Sequence, residues 1–300
     1  MAIQWFPGHM AKARRQVEEK LKQVDMVFEL LDARLPLSSR NPMIDELVRR
    51  KPRVILLTKS DLADPEATRA WSEHFRANDI QVLPIDTLSG KGIKKITAVS
   101  QDLMKDKFED MEKKGIRRRR IRAMVLGVPN VGKSALINRL AGRSAAKTGD
   151  RPGVTRSQQW IRVGNGLELL DTPGILWPKF EDRRVGLRLA VSGAIREDIL
   201  PVEEVALFLL EYLASRYGSL LEERYKLKPT AESDPLALLE EVGSRRGCMR
   251  KGGELDLEKA AEVVLRDLRS GRIGRVSLEL PEDWEQDEEE EAHESQGDDT

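Results

Sequence analysis

The chain has 300 residues, 40% hydrophobic and 34% charged, which suits one doubly wound domain plus a smaller one, since single cores stop growing near ~250–300 residues. One cysteine, Cys248, excludes an intramolecular disulfide, the most apolar run (205–213) is broken by Glu211 far short of the ~20 residues of a membrane span, and MAIQWFPGHM lacks the apolar stretch of a secretory signal. A soluble cytoplasmic protein with no membrane partner is expected, and its zero net charge is unevenly divided: residues 282–300 hold eleven Asp/Glu and no Lys/Arg, leaving 51 basic against 40 acidic residues on 1–281.

From the N-terminus, residues 10–24 place Met10, Ala13, Val17, Leu21 and Val24 on one helical face and Lys12, Arg14, Arg15, Lys20 and Lys22 elsewhere. This predicts an amphipathic basic helix packed on the core, within an N-terminal segment of residues 1–23. Short apolar runs then recur at 24–32, 53–58, 81–86, 122–127, 159–163 and 167–171, and each predicts a strand. Helix-compatible stretches at 65–77, 91–111 and 133–142 lie between them. Strands alternating with helices make the fold class α/β, a doubly wound and mostly parallel sheet covered on both faces, with a domain drawn over residues 24–197. The charged stretch 105–122, with Gly115 inside it, reads as a linker or an extended helix end between two halves of that sheet.

After residue 198 the pattern is helical. Val202, Val205, Ala206, Leu209, Leu210 and Leu213 share one face, and Leu257, Ala260, Ala261, Val264, Leu265 and Leu268 share another. Residues 198–281 are therefore expected to form a small all-helical domain, and 282–300, too charged to bury a core, a disordered acidic tail.

Two motifs carry the chemistry. GVPNVGKS (127–134) matches G-x-x-x-x-G-K-[ST] between a predicted strand and a predicted helix, the context a phosphate-binding loop demands. Gly127 and Gly132 let the backbone wrap phosphates, so Pro129, Asn130, Val131, Gly132, Lys133, Ser134 and Ala135 are the expected nucleotide contacts. Lys133 would reach the terminal phosphates and Ser134 would supply an oxygen to Mg²⁺. DTPG (171–174) puts Asp171 at a strand's carboxyl end, where it would hold the Mg²⁺ shell while the Gly174 amide faces the γ-phosphate. In the intervening RPGVT (151–155), Thr155 is either a third oxygen for Mg²⁺ and nucleotide or a plain loop residue.

The second motif is TKSD (58–61), also at a predicted strand end. The Asp61 carboxylate can accept from N1–H and the 2-amino group of guanine together, whereas adenine lacks that amine and presents a lone pair. A preference for guanine on the order of 10⁴ follows. Lys59 would lie along the base, and Thr58 offers a short hydroxyl where asparagine is usual. In DTLSGKG (86–92), Thr87 is the expected backbone donor to the guanine oxygen.

The base reader thus precedes the phosphate loop, the reverse of the ordinary GTPase order. A doubly wound sheet gathers its ligand loops at one edge whatever the chain order, so joining old termini and opening the chain elsewhere preserves the site. The arrangement is that of a circularly permuted GTPase. In it the segment after DTPG runs directly into the helical domain, which nucleotide state can thereby move.

Two glycine-bearing segments near the C-terminus, SRRGCMRKGG (244–253) and RDLRSGRIGR (266–275), hold Arg245, Arg246, Arg250, Lys251, Arg266, Arg269, Arg272 and Arg275. They read as RNA phosphate contacts or as a solvated surface; the absence of acidic residues within 244–253 favours RNA.

PGHMAKA (7–13), TKSD, GVPNVGKS, RPGVT, DTPGILWPK (171–179), RKGGE (250–254) and RSGRIGR (269–275) together resemble the ribosome biogenesis GTPase A family, over nearly the whole chain except the acidic tail. The resemblance implies GTP-dependent assembly of the large ribosomal subunit, with GTP and Mg²⁺ as cofactors, rRNA as the main contact and hydrolysis controlling release. It also implies a catalytic role for His9, which by sequence alone reads rather as a structural or RNA-contacting residue. Ile175 stands where many GTPases carry a water-orienting glutamine. Asn130 stands where potassium-using GTPases carry asparagine, so K⁺ is either a further cofactor or the residue merely supports the loop turn. A slow enzyme stimulated by its partner is expected. The alternative is a GTP-gated RNA-binding checkpoint in which hydrolysis is incidental. No coiled-coil element is evident, and a monomer off the ribosome is expected.

Overall fold

All seven side chains of β1 (Met26–Asp32) are buried, as a strand covered on both faces requires. In this computed structural model the described residues are 14–15, 17–48, 51–117, 119–143, 145–146, 159–164, 166–177, 180, 182–195 and 199–284. With β2 (Arg53–Thr58), β3 (Gln81–Pro84), β4 (Ile121–Gly127), β5 (Gln159–Val163) and β6 (Leu167–Asp171), β1 forms one sheet in the order β3-β2-β1-β4-β6-β5. Every neighbouring pair is parallel except β5 with β6. The six strands coincide with the six apolar runs, and the sheet is mostly parallel as expected.

Chain order reverses between β1 and β4, the switch point where such sheets bind ligands beyond the strands' carboxyl ends. Register aligns those ends: Asp32 pairs with Thr58, and Leu30 with Gly127. Residues 105–122 connect the half β3-β2-β1 to the half β4-β6-β5, as expected, and the two halves join through the β1–β4 pairing. The predicted helix 91–111 is broken at buried Met104 into α3 (Ile93–Leu103) and α4 (Lys105–Lys113), and the chain then enters β4. Asp25 anchors this crossing by accepting from Lys107, Arg119 and the Arg122 amide.

Between β1 and β2 lies α1 (Pro42–Val48), which the apolar pattern does not announce. Buried Asn41 starts it by accepting from the Met43 amide at 3.0 Å, with Pro42 preset for the first turn. Helix α2 (Pro65–Ala77) matches its predicted span and is capped by Asp64. Helix α5 (Lys133–Ala141) follows the phosphate loop and ends at Gly142. As expected of the N-terminal segment, Val17, Leu21 and Val24 pack on the sheet, with Ile44, Val48, Leu126, Leu170 and Ile175.

Helices α6 (Arg183–Ser192), α7 (Val202–Arg216), α8 (Gly218–Tyr225), α9 (Pro235–Arg246) and α10 (Leu257–Arg269) follow β6. Helix α6 packs on α7 and α10, so helical packing starts before residue 197, and one buried cluster runs continuously from the sheet into the bundle. After α10 the chain returns to the sheet: Val276 N donates to Leu62 O and Leu278 N to Arg34 O. Residues 282–284, placed with the tail by their charge, belong to the fold. Asp283 pairs with Arg216 at 2.5 Å, and Trp284 lies under the Arg188 guanidinium. Residues 285–300 lie outside the described residues. Among the described residues no helix is long and apolar enough to cross a membrane.

Candidate nucleotide site

The phosphate loop leaves β4 at a glycine that sterics demand: a Cβ on Gly127 would lie 2.7 Å from the Leu30 carbonyl. Asn130 (φ 56) and Gly132 (φ 104) turn the loop through left-handed conformations, and Gly132 caps α5 without a side chain in the way. Lys133 is buried, and its ammonium donates to the carbonyls of Gly127 (3.1 Å) and Val128 (2.8 Å). Burial pulls its pKa down to about 8, with Asp171 acting in the opposite direction. Asn130 donates its side-chain amide to Gly193 O, at the end of α6, at 2.8 Å.

Asp171, at the end of β6, is buried, and among the described residues neither carboxylate oxygen accepts a well-formed hydrogen bond. Burial pushes its pKa up to about 6 although the Lys133 ammonium pulls the other way. Buried carboxylate oxygens so placed beside a phosphate loop suit a hard divalent cation such as Mg²⁺, with Ser134 at the start of α5 able to add a hydroxyl. Next in the chain, Thr172 donates its hydroxyl to Val125 O, fastening DTPG to β4. Gly174 passes so close to the phosphate loop that a Cβ would stand 2.7 Å from both N and Cα of Pro129. Ile175 then turns into the core, 4% exposed, with its amide bonded to Gly127 O and its carbonyl held by Asn41 at 3.2 Å.

Thr58 is buried with its hydroxyl directed at the carbonyls of Val131 (2.7 Å) and Leu31 (3.0 Å). It therefore ties the base loop to the phosphate loop. Lys59, at φ 54, is held by Asp32 through a 2.9 Å ion pair. Asp32 also takes both Nε and Nη2 of buried Arg34, at 2.9 and 2.7 Å. Burial alone would raise the Asp32 carboxyl, but Arg34 and Lys59 hold it far below the usual range. Burial moves Asp61 upward, against the fields of Arg34 and Arg275. Sequence patterning does not single out Asp32 and Arg34; their signal is an acidic–basic pair at the carboxyl end of a buried strand. Beside them, Asp86 accepts from the amides of Leu88 (2.7 Å) and Ser89 (3.1 Å), shaping the loop that carries Thr87.

The topology thus brings Thr58, Lys59, Asp61, Thr87, the phosphate loop, Asp171 and Gly174 to one edge of the sheet. His9 and Thr155 lie outside the described residues. Of the basic candidates, Arg245, Arg246, Arg250, Lys251, Arg266, Arg272 and Arg275 are exposed, and Arg269 is half-buried. Four donate to backbone carbonyls of the fold, Arg245 to that of Lys226 (2.7 Å) and Arg246 to that of Arg224 (2.8 Å) among them. Arg269 donates to the carbonyls of Val191 and Ala190 at the end of α6, and Arg275 to those of Ala63 (2.8 Å) and Ser60 (2.9 Å). A guanidinium satisfied by backbone carbonyls is a fastening, which their position in a glycine-rich basic run does not reveal.

A parallel sheet whose phosphate loop follows β4 while its base-reading loop follows β2 defines a circularly permuted P-loop GTPase. The family described as 50S ribosome-binding GTPase matches residues 122–234. Ribosome biogenesis GTPase A of Bacillus licheniformis is 54% identical over 283 residues, covering 94% of this chain and 100% of the relative. That of Thermotoga maritima is 33% identical over 281 residues, covering 94% and 95%. The GNP-bound crystal structure of YlqF from T. maritima superposes with a TM-score of 0.64 at 29% identity, covering 90% and 99% of the two chains. The chain belongs to the ribosome biogenesis GTPase A family, and it is a GTP-binding, GTP-hydrolysing factor of ribosome biogenesis.

Proposed function

We propose that this GTPase binds rRNA in the maturing large ribosomal subunit and that hydrolysis controls its release. The observation that carries this reading is the exposed basic end of α9. Arg245 and Arg246 close the helix, exposed although each also donates to a carbonyl at the end of α8, and a turn built on Gly247, Gly252 and Gly253, all at positive φ, presents Arg250 and Lys251. Arg266 and Arg272 add exposed charge on and after α10. Phosphate contacts from such groups make binding steeply salt dependent.

In the same reading, Asp61 selects guanine with Lys59 and the Thr87 amide beside the base. The loop from Pro129 to Ala135 wraps the phosphates, Lys133 offsets their charge, and Ser134, Thr155 and Asp171 hold Mg²⁺. That ion, when bound, screens the charge that develops on the transferring phosphoryl group. Ile175 is packed in the core, so the attacking water is oriented by a group from elsewhere. His9 takes that role in this proposal, and a potassium ion at Asn130 adds positive charge. The protein works as a monomer off the ribosome, in the cytoplasm.

Burial of Ile175 favours a second reading, a GTP-gated checkpoint in which hydrolysis is incidental. Steady-state GTP hydrolysis, measured alone, with large subunits and with an equal mass of unstructured RNA, in potassium and then in sodium, separates them. Stimulation by subunits alone supports the first reading. Turnover that stays negligible with saturating subunits selects the second, and equal stimulation by any RNA removes the ribosomal assignment.

A further inference from the structure

The segment that follows α10 lies on the loop that carries Asp61. Arg275 bonds two carbonyls of that loop, Ser60 and Ala63, at 2.9 and 2.8 Å. Val276 N donates to Leu62 O at 3.0 Å, and the Ser277 hydroxyl accepts from Asp64 N at 3.2 Å. Gly271 lies so near Leu62 that a Cβ would stand 2.7 Å from its Cδ2. Every residue from Ser60 to Asp64 except Asp61 itself is thus touched by residues 271–277. The segment is anchored at its far end as well. Glu279, fully buried, accepts from the Leu37 and Ser38 amides and the Ser38 hydroxyl, pairs with Arg188 of α6 at 3.4 Å, and gives its carbonyl to Trp71 Nε1.

We propose that Arg275 is a positioning residue for guanine: its two bonds to the backbone on either side of Asp61 set that carboxylate for the base. The inference rests on the assignment of Asp61 as the guanine reader. An arginine fork across two carbonyls fixes both the height and the tilt of the loop, which a single donor cannot do. Because the segment continues α10, an event that shifts α10 changes guanine affinity, and by linkage nucleotide binding changes the helical domain's affinity for its own ligand. This route reaches the base loop, separately from the one that runs from DTPG into α6.

The test uses the full chain and measures dissociation constants for GDP, GTP and inosine triphosphate, which lacks the 2-amino group that Asp61 would read. Two lost hydrogen bonds predict about tenfold weaker GDP and GTP binding for Arg275→Ala, by similar factors since the γ-phosphate is remote. The preference for GTP over inosine triphosphate shrinks in parallel, while kcat at saturation is kept. Arg275→Lys, which can reach one carbonyl at a time, recovers part of the affinity. Thermal melting reports whether each variant is folded. Affinity and nucleotide preference within twofold of wild type in both folded variants, even with a lowered Tm, would make the contact merely structural and overturn the proposal. Asp61→Asn is run beside them. If it weakens GTP binding and Arg275→Ala does not, the positioning role alone is wrong, whereas if Asp61→Asn is also silent, the guanine assignment fails with it.

Discussion

The Thr58 hydroxyl lies 2.7 Å from the Val131 carbonyl, joining the base loop to the phosphate loop across 73 residues of chain. An asparagine is usual at that position, and the shorter threonine suffices because β2 ends in register with β1, two strands from the phosphate loop. Thr58→Val keeps the shape and removes the hydroxyl that donates to the Val131 carbonyl. Leaving a buried carbonyl without its partner costs about 1–3 kcal/mol. The expected result is a Tm lower by several degrees and GDP binding weaker by about tenfold, with Thr58→Ser near wild type, as read by melting curves with and without nucleotide.

Gly174 is constrained by space. Its neighbours at 2.7 Å are backbone atoms of Pro129, which cannot swing aside as a flexible side chain would. Gly174→Ala must displace either DTPG or the phosphate loop. Displacements near 1 Å at reacting groups cost on the order of 10²-fold in rate. GTP hydrolysis should fall by about that factor, whereas GDP, which has no γ-phosphate for DTPG to meet, should bind with far less change.

Much of this architecture is legible in the sequence because it follows from local rules. A buried parallel strand must be almost wholly apolar, and all six runs became strands; a phosphate loop must carry glycines where its backbone turns. What was not legible depends on partners distant in the chain. Helix α1 has only seven residues, too few to show a periodicity, although Asn41 followed by Pro42 is a start signal. Met104 interrupts a stretch whose composition remains helical throughout. Arg269 and Arg275 sit in a run that looks built for a polyanion, and only the return of the chain onto α6 and the base loop shows what their guanidinium groups bond. Glu279, at the edge of the acidic tail, is fully buried for the same reason.

Two buried carboxyls set opposite limbs of the pH–stability curve. Glu29, in the middle of β1, is driven by burial from 4.5 to about 7, against Arg53 and Arg40 and together with Asp45. With the folded value raised, its contribution is complete below about 4.5 and is lost as pH rises through 7. Burial also pushes Asp25 upward, but Arg119, Lys107 and the Arg122 amide outweigh it and hold the carboxyl at about 2. With the folded value depressed, its contribution is present above about 4 and is lost as pH falls toward 2. Glu29→Gln should therefore flatten the decline in Tm between pH 5 and 8, and Asp25→Asn the decline below pH 4. An unchanged alkaline slope in Glu29→Gln would assign that limb to other groups.

Asp171 makes the last test, because its stability and its function pull apart. Its carboxylate is buried, among the described residues neither oxygen accepts a well-formed hydrogen bond, and burial pushes its pKa up to about 6 against the pull of Lys133 and the Thr172 amide. A charge held under those conditions destabilises the fold unless a cation occupies the site. In Mg²⁺-free buffer at neutral pH, Asp171→Asn should raise Tm by a few degrees, since the amide carries no charge to desolvate. With Mg²⁺ and GTP the order should reverse, wild type gaining thermal stability from the ligand and the variant gaining little. Hydrolysis should fall by on the order of 10²-fold or more, as it should in wild type treated with a chelator. A variant less stable than wild type without Mg²⁺ would show that Lys133 and Asp171 form a favourable pair after all. In that case the carboxylate would belong to the fold before it belonged to the metal.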